Sequence, residues 1–348
     1  MTGGGTEKVI ATLSNHWVKK GYKITILMIG GDDVAYELDE RIEVKSLSGA
    51  TGGSAKGRFN RIKAMRRAFK EDKNAYIIAM GSISSMFSVI AATGLPNKVI
   101  VTERNDPNIL NHRSIRGYER RIRNLLYYMA DGIVFQTEMA MKYFPESLQR
   151  KSAVIMNPIT DELPEPTPYE SRDKIVITAG RLTEQKNHKM LIDAFECFHQ
   201  SNPDYTLNIF GEGELKSELE QYVADKGASE YIILKGFSNK IHDEMNRSRI
   251  YVSSSDWEGI SNSLMEAMGM GMAVIATDCP VGGNAMLIQG GINGQLIEPG
   301  REEQLVEELI NLAVANAAKQ IAGKAVEVRD KYSVQMIATE WENLLESL

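Results

Sequence analysis

Apolar runs of strand length alternate along the chain with amphipathic segments of helix length. In the first half these runs cover residues 23–28, 76–80, 99–102, 132–136 and 153–156. The second half repeats the rhythm at residues 175–179, 205–210, 231–235, 250–253 and 273–277. Because a helix-length segment separates each strand from the next, the pattern predicts parallel sheets covered by helices on both faces, which is an α/β architecture.

A proline-rich, acidic stretch divides the two series of strands. Residues 157–168 contain four prolines and lack apolar periodicity, as is typical of a linker. In a chain of 348 residues we therefore expect two domains. The predicted parts are a first domain at 1–158, a linker at 159–172, a second domain at 173–332, and a C-terminal helix at 333–348 that packs back on the first domain. Two doubly wound domains facing a cleft would bind ligands at the carboxyl ends of their strands.

One uncharged stretch, residues 74–97, is long enough to span a bilayer. Gly81 and several serines interrupt it, so we predict a strand, a loop and a helix instead of a membrane span. The two cysteines, Cys197 and Cys279, lack CxxC spacing. Their number and spacing argue against structural zinc and are typical of a reducing compartment.

The net charge of −6 conceals an asymmetry, because residues 1–160 carry +9 and residues 161–348 carry −15. The first half is therefore expected to meet something anionic. Much of its positive charge lies on a basic amphipathic helix predicted at 55–70. The basic row of this helix is Lys56, Lys63, Arg67 and Lys70. Its apolar stripe, which we expect to pack on the first sheet, is Ala55, Phe59, Ile62, Met65 and Phe69.

A second basic cluster precedes residue 125. Its members are Arg113, Arg116, Arg120, Arg121 and Arg123. Either cluster could be only a solvated helix face, and that alternative stays open. The net negative charge of the whole chain and the absence of a nucleic-acid-binding motif argue against DNA or RNA as a partner. An anionic membrane surface or a diphosphate-bearing acceptor fits the charge better.

The second domain offers cationic side chains where a strand ends. Gly180 follows the strand at 175–179, and Arg181 and Lys186 come next, five residues apart. An arginine fork and a lysine point charge suit a diphosphate. Gly211 and Gly213 follow another strand and would let a ligand approach the backbone closely.

Two glutamates, Glu258 and Glu266, flank the start of a predicted helix. Ser261 or Ser263 can cap this helix, and its first turn, which includes Asn262, would then face an anion. Near the N-terminus, Gly4 and Gly5 precede another amphipathic helix, as in a phosphate-binding turn. We find no Ser-His-Asp, HExxH or carboxylate-rich metal motif, and no GxGxxG of the dehydrogenase type.

Taken together, these motifs resemble the family 4 retaining glycosyltransferases, which have the two-domain GT-B fold. The segments that carry the resemblance are Gly3–Glu7 for the GG-x-E loop, Gly180–Lys186 for G-R-L-x(3)-K, Glu258–Glu266 for E-x7-E, and the turn at 277–283. The resemblance implies that Arg181 and Lys186 neutralise a donor diphosphate. It also implies that Glu258 contacts the transferred sugar, that Glu266 contacts the nucleotide ribose, and that no metal is required.

Three departures from the family pattern stand out. No apolar strand precedes Gly3, although relatives place a central strand there. Arg104 occupies a position where many relatives have histidine, on the acceptor side. Asn284 and Met286 replace a common proline and glutamate after the glycine pair.

We therefore predict a metal-independent hexosyltransferase that uses a nucleotide diphosphate sugar, expected to be a UDP-sugar, and needs no cofactor. Its acceptor would be a lipid-linked glycan, such as one on undecaprenyl diphosphate, or a polysaccharide. We expect it in the cytoplasm, peripherally bound to the inner face of the cell membrane. The alternative is a catalytically silent partner of the same fold, which would bind glycan or nucleotide without turnover.

Overall fold

The computed structural model describes residues 4–29, 34–47, 55–107 and 117–348. The chain divides into two compact units, one formed by residues 1–158 with 334–348 and the other by residues 159–333. The strands of the first unit are β1 (Thr25–Met28), β2 (Glu43–Ser46), β3 (Ile77–Ala79), β4 (Val99–Glu103), β5 (Gly132–Phe135) and β6 (Ser152–Val154). Its helices among the described residues up to 158 are α1 (Gly5–Lys19), α2 (Ala55–Glu71), α3 (Ser82–Ala92), α4 (Gly117–Tyr128), α5 (Glu138–Lys142) and α6 (Glu146–Gln149).

The second unit repeats the alternation of strands and helices. Its strands are β7 (Asp173–Ala179), β8 (Thr206–Phe210), β9 (Ile232–Gly236), β10 (Ser248–Ser253), β11 (Ala273–Thr277) and β12 (Gln295–Ile297). Its helices are α7 (His188–Ser201), α8 (Lys216–Asp225), α9 (Ile241–Arg247), α10 (Asn262–Gly269), α11 (Gly283–Leu287), α12 (Glu302–Ala313), α13 (Ala315–Ala325) and α14 (Val328–Lys331). The last helix, α15 (Val334–Ser347), belongs to the first unit.

All strand pairs in the first unit are parallel, but they form two sheets. One sheet has four strands in the order β3-β4-β5-β6, and the other consists of β1 and β2. Within the described residues no strand joins β1 to β3.

The uncharged stretch at 74–97 folds as β3, a short loop and α3, as the sequence predicts. Gly81 provides the break, since it precedes α3 with a φ of 93°, a conformation that favours glycine. In the described part of the chain no helix is long and apolar enough to cross a membrane.

Helix α2 packs on α3, its apolar stripe is only partly buried, and the packing of that stripe on the sheet stays a prediction. Met65 and Phe69 are buried, whereas Phe59 is 66% exposed. The basic row of α2 is exposed along its length, as the wheel predicts: Lys56, Lys63, Arg67 and Lys70. A different basic side chain ties the two helices together, because Arg66 donates to the Ala91 and Thr93 carbonyl oxygens at 2.7 Å each.

The second basic cluster is only partly a surface feature. Arg120 and Arg121 are exposed, whereas Arg113 and Arg116 lie outside the described residues. Arg123 is buried: its guanidinium lies over the Phe144 ring, and its nearest nitrogen is 3.9 Å from a Glu103 carboxylate oxygen. A buried arginine needs such partners, and a count of basic residues cannot reveal them.

Helix α15 packs on α1 within the first unit. The Trp17 and Trp341 rings meet edge to face with their centroids 6.5 Å apart. Lys20 pairs with Glu342 at 2.6 Å. These contacts explain why residues 334–348 belong to the first unit although they follow the second one in the chain.

The second unit has a six-stranded parallel sheet in the order β12-β11-β10-β7-β8-β9. The chain runs from β7 to β9 on one side and then returns to place β10 to β12 on the other. The topological switch point therefore lies between β7 and β10, where doubly wound sheets bind ligands at the carboxyl ends of the strands. Part of the predicted linker belongs to this unit: Arg172 is buried and donates to the Ser248 carbonyl oxygen at 3.0 Å.

Candidate active site

Two loops meet at the switch point of the second unit, residues 180–187 after β7 and residues 254–261 after β10. Their backbones are joined by hydrogen bonds. Ser254 donates its hydroxyl to the Lys186 carbonyl oxygen at 2.8 Å, and the Asp256 N–H donates to the Gln185 carbonyl oxygen at 2.9 Å. The Gln185 side chain in turn donates to the Trp257 carbonyl oxygen at 2.8 Å. These bonds fix the side chains that the two loops carry.

The pair formed by Lys186 and Glu258 lies at the centre of this arrangement. The Lys186 ammonium donates to a Glu258 carboxylate oxygen, and both side chains are largely buried. Ser255 donates a second hydrogen bond to the same oxygen at 3.3 Å. Burial of the pair reduces the screening of its charges by solvent. The structure thus brings two predicted site residues together.

Arg181 stands beside this pair in sequence but differs in environment. It is exposed, and no partner binds its guanidinium among the described residues. Its carbonyl oxygen instead accepts a hydrogen bond from His188 at 3.4 Å. With Lys186 paired to Glu258, Arg181 is the cation of the two loops whose side chain has no acidic partner among the described residues.

Helix α10 begins at the same edge of the sheet. Ser261 is its cap, since the Ser261 hydroxyl accepts from the Leu264 N–H at 3.4 Å. Ser263 does not cap the helix: it accepts from the Tyr251 hydroxyl at 2.7 Å and donates to the Ala179 carbonyl oxygen at 3.0 Å. This chain of hydrogen bonds holds the start of α10, where Asn262 is the first residue, beside the end of β7.

Glu266 lies on α10 and is buried. His242, on α9, approaches it with Nε2 3.0 Å from a Glu266 carboxylate oxygen, so that the ring N–H donates to the carboxylate. Sequence analysis missed His242, because 24 residues separate it from its partner. Its position at the start of a helix that follows β9 was the only signal in the sequence.

Backbone packing explains the glycines after β8. A Cβ atom on Gly211 would lie 1.8 Å from the Gly180 carbonyl oxygen, and one on Gly213 would lie 2.3 Å from the Leu182 carbonyl oxygen. Both distances are far below contact, so only glycine lets the loops after β7 and β8 run side by side. Their predicted contact with a donor stays a prediction.

Asn284 and Met286, the departures after the glycine pair, have local roles. The Asn284 side chain is buried and donates to the Thr277 carbonyl oxygen at 2.9 Å. The Met286 carbonyl oxygen accepts from the Tyr332 hydroxyl at 3.2 Å. A Cβ atom on the neighbouring Gly283 would lie 1.5 Å from the Gly259 carbonyl oxygen, so this turn supports the loop that carries Glu258.

Two ionisable groups near the site are held neutral. Burial raises the pKa of the Cys279 thiol to about 12, so that it cannot act as a thiolate nucleophile at neutral pH. Burial lowers the pKa of His188 to about 4. Among the described residues, no group of three or more His, Cys, Asp or Glu side chains could hold a metal ion. The independence of the reaction from metal stays a prediction.

His188 makes stability depend on pH. With its folded pKa at about 4, against an ordinary value of about 6.5, the unfolded chain binds more protons between these two pH values. The contribution of neutral His188 to the free energy of unfolding is therefore fully present above pH ~6.5. It falls as the pH drops, by about 3 kcal/mol near pH 4. Denaturant unfolding of wild type and His188→Asn at both pH values tests this. We expect the variant to lose less stability on acidification, and equal losses in the two proteins would contradict the assignment.

The remaining predicted site residues lie in the first unit: Gly4 and Gly5, predicted for the donor, and the residues predicted for the acceptor side and the membrane. Gly4 and Gly5 open α1, where the Gly4 N–H donates to the Glu7 carboxylate at 2.6 Å. That carboxylate occupies the position in which the sequence predicts an anion. Arg104 directly follows β4, while Lys56, Lys63, Arg67 and Lys70 line the exposed face of α2.

Each half of the chain matches a model of a known protein family. The family model "Glycosyltransferase Family 4" matches residues 3–163, and the model "Glycosyl transferases group 1" matches residues 159–325. A glycosyltransferase of Haemophilus influenzae is 26% identical over 98% of this chain and 96% of its own length. A Campylobacter jejuni α-1,4-N-acetyl-D-galactosaminyltransferase, named for an undecaprenol-diphosphate-linked acceptor, is 23% identical over 99% and 96%.

Among solved structures, Anabaena Alr3699/HepE in complex with UDP and glucose matches with a TM-score of 0.85. It is 18% identical and covers 99% of this chain and 96% of its own. This likeness shows that the two Rossmann-like units are those of a GT-B fold. Because the two family models together span residues 3–325, the protein belongs to the family 4 glycosyltransferases.

Proposed function

We propose that this glycosyltransferase moves a hexose or N-acetylhexosamine from a UDP-sugar to a lipid-linked or polysaccharide glycan, with retention and without a metal ion. The observation that carries the proposal is the Lys186–Glu258 pair, with the exposed Arg181 beside it, at the switch point of the second unit. Two cations and a helix N-terminus suit a diphosphate, while the carboxylate suits the hydroxyl groups and the developing positive charge of a sugar.

In this mechanism Arg181 and Lys186 stabilise the charge that builds up on the leaving diphosphate. The bond between C1 of the sugar and the β-phosphate oxygen breaks, and the electron pair stays on that oxygen. The acceptor hydroxyl attacks C1 from the same face and transfers its proton to the departing phosphate. Glu258 stabilises the oxocarbenium-like sugar between these events, and the new C1–O bond keeps the configuration of the donor.

The identities of donor and acceptor rest on two similar proteins. Anabaena HepE forms a complex with UDP and glucose, which favours a uridine donor. The name of the Campylobacter relative specifies a lipid-linked glycan acceptor. Both descriptions belong to those proteins, and we extend them to this chain as part of the proposal.

Binding of nucleotide sugars tests the donor assignment. Thermal unfolding of the full chain with UDP-glucose, UDP-galactose, their N-acetylhexosamine counterparts and GDP-mannose should show stabilisation by UDP-sugars, because a ligand that binds only the folded state raises the melting temperature. UDP alone should also stabilise the protein. Stabilisation by GDP-mannose alone would contradict the uridine donor.

We also propose that the first unit binds an anionic membrane surface through α2, α3 and α4. These helices are packed in sequence, α2 on α3 and α3 on α4. Several large apolar side chains on them are exposed: Phe59, Ile83, Ile90, Ile122 and Leu125. Together with the basic row of α2, they offer what an interfacial surface needs, apolar groups for the acyl boundary and cations for acidic headgroups.

Charge reversal on α2 tests the membrane proposal. Each basic residue near an anionic surface contributes about 1 kcal/mol, so loss of Lys63 and Arg67 should weaken vesicle binding about 30-fold or more. We expect this for Lys63→Glu/Arg67→Glu on phosphatidylglycerol vesicles at low salt, with unchanged UDP affinity. The control is Lys142→Glu/Arg150→Glu, two exposed residues outside these helices. Equal vesicle binding by both double variants would mean that the basic row is only a solvated face.

A further inference from the structure

Three polar side chains converge at the carboxyl ends of adjacent strands in the first unit. Arg104 directly follows β4, Gln136 directly follows β5, and Asn157 lies three residues beyond β6. These strands are neighbours in the sheet, with Glu103 opposite Phe135 and Phe135 opposite Val154. The three side chains therefore form one corner of the sheet, at the edge where doubly wound folds bind ligands.

Hydrogen bonds within this corner leave some of its donor and acceptor atoms without a partner among the described residues. The Asn157 side-chain oxygen accepts from the Arg104 guanidinium and, at 2.7 Å, from the Gln136 amide. Two buried guanidinium nitrogens of Arg104, Nε and Nη1, have no partner among the described residues, and neither has the Gln136 side-chain oxygen. Gln136 itself is only 3% exposed. Buried polar groups without partners are rare and costly in native proteins.

The charge of Arg104 is also uncompensated. No acidic side chain in the described ranges forms an ion pair with it. The adjacent Glu103 carboxylate is already occupied: it accepts from Ser82 at 2.6 Å and from the Tyr127 hydroxyl, and it faces Arg123 at 3.9 Å. Burial lowers the pKa of Arg104 only to about 10, so its guanidinium is cationic at neutral pH. A buried cation without a counter-charge is destabilising.

We propose that this corner is an anion subsite of the acceptor site, in which Arg104 binds a phosphate or carboxylate group through one of its unpartnered N–H groups, on Nε or on Nη1. These N–H groups lie on different edges of the guanidinium, and a charge-assisted hydrogen bond from either of them suits an oxygen of such a group. The Gln136 oxygen accepts from a hydroxyl group next to the anion, on a sugar or on the phosphate itself. The inference rests on the proposed function, since it makes an anionic glycan the preferred acceptor.

Titration of small anions tests the subsite. The full chain is first saturated with UDP, to occupy Arg181 and Lys186, and then titrated with inorganic phosphate, glucuronate or glucose while amide NMR shifts are recorded. We expect one or both anions, and not glucose, to shift the signals of residues 103–106 and 136. Phosphate would indicate a phosphate-bearing acceptor and glucuronate an acidic sugar. Loss of charge-assisted hydrogen bonds in Arg104→Gln should weaken binding about 10- to 150-fold.

Two further variants keep the test decisive. Gln136→Glu retains Arg104 but supplies an internal counter-charge, and it should also weaken anion binding. Arg150→Gln removes an exposed arginine from the same unit and should bind anions as the wild type does.

The subsite would be overturned if Arg104→Gln and Gln136→Glu bound anions with wild-type affinity. It would also be overturned if the wild type bound no anion at all. Absence of UDP binding would contradict the proposed function instead. The difference in anion affinity between Arg104→Gln and the wild type is measured whether or not UDP binds.

Discussion

Glu258→Gln is expected to lower turnover about 100- to 1000-fold while changing UDP affinity much less. Glutamine keeps the size of the side chain and can still accept from Ser255, which lies 3.3 Å from the carboxylate. It removes the negative charge that faces Lys186 and that would stabilise a developing oxocarbenium ion. An interaction made mainly in the transition state affects kcat more than binding.

The matched control for this prediction is Glu220→Gln, which removes an exposed carboxylate from α8 of the same unit and should leave turnover unchanged. Glu266→Gln should show the opposite pattern, with UDP affinity falling more than kcat, because we assign Glu266 to the nucleotide. Rates for each variant are measured at saturating donor, and UDP affinities by calorimetry. Wild-type turnover by Glu258→Gln would remove the catalytic role.

Arg181→Ala and Lys186→Ala should each weaken UDP binding about 10- to 150-fold, the equivalent of roughly 1.5–3 kcal/mol for a charge-assisted contact. The larger loss is expected for Lys186. Its removal takes away a diphosphate contact and also leaves Glu258 without its cation, with its charge facing the diphosphate. A like charge at short range in a partly buried site is repulsive.

Comparison of UDP with UMP isolates the diphosphate contribution. If Arg181 and Lys186 bind the β-phosphate, the two alanine variants should lose much less affinity for UMP than for UDP. Lys189→Ala is the control, because Lys189 is an exposed lysine on α7 that pairs with Glu218. Variants that fold normally and bind UDP as tightly as wild type would contradict the assignment.

Much of the fold follows from apolar periodicity. Each of the ten apolar runs overlaps a strand, because buried parallel strands need continuous apolar residues. Two strands, β2 and β12, do not follow this pattern. β2 (Glu43–Ser46) is polar and not fully buried, and β12 (Gln295–Ile297) has only three residues at an edge of its sheet. Their places depend on pairing with a neighbour, which the local sequence does not encode.

The site was predictable to the extent that its residues lie in loops directly after strands. Arg181, Lys186 and Glu258 could be found because glycine or serine turns follow apolar runs. His242 could not, since its partner Glu266 lies on another helix. Arg123 shows the converse error: on a helical wheel a buried arginine stacked on Phe144 looks the same as a solvated one. In both cases the decisive contact joins residues far apart in sequence.

Retaining transfer without a metal ion is tested most directly by a proton NMR time course of the wild-type protein, with the UDP-sugar that stabilises it and a glycan acceptor. We predict that the first glycoside to appear has the α configuration of the donor, in reactions without added metal and with chelator present. A β-linked first product would contradict retention, and a strict requirement for metal would contradict the role given to Arg181 and Lys186. UDP-sugar binding without any transfer, over a full panel of acceptors, would contradict the enzyme and favour the silent partner.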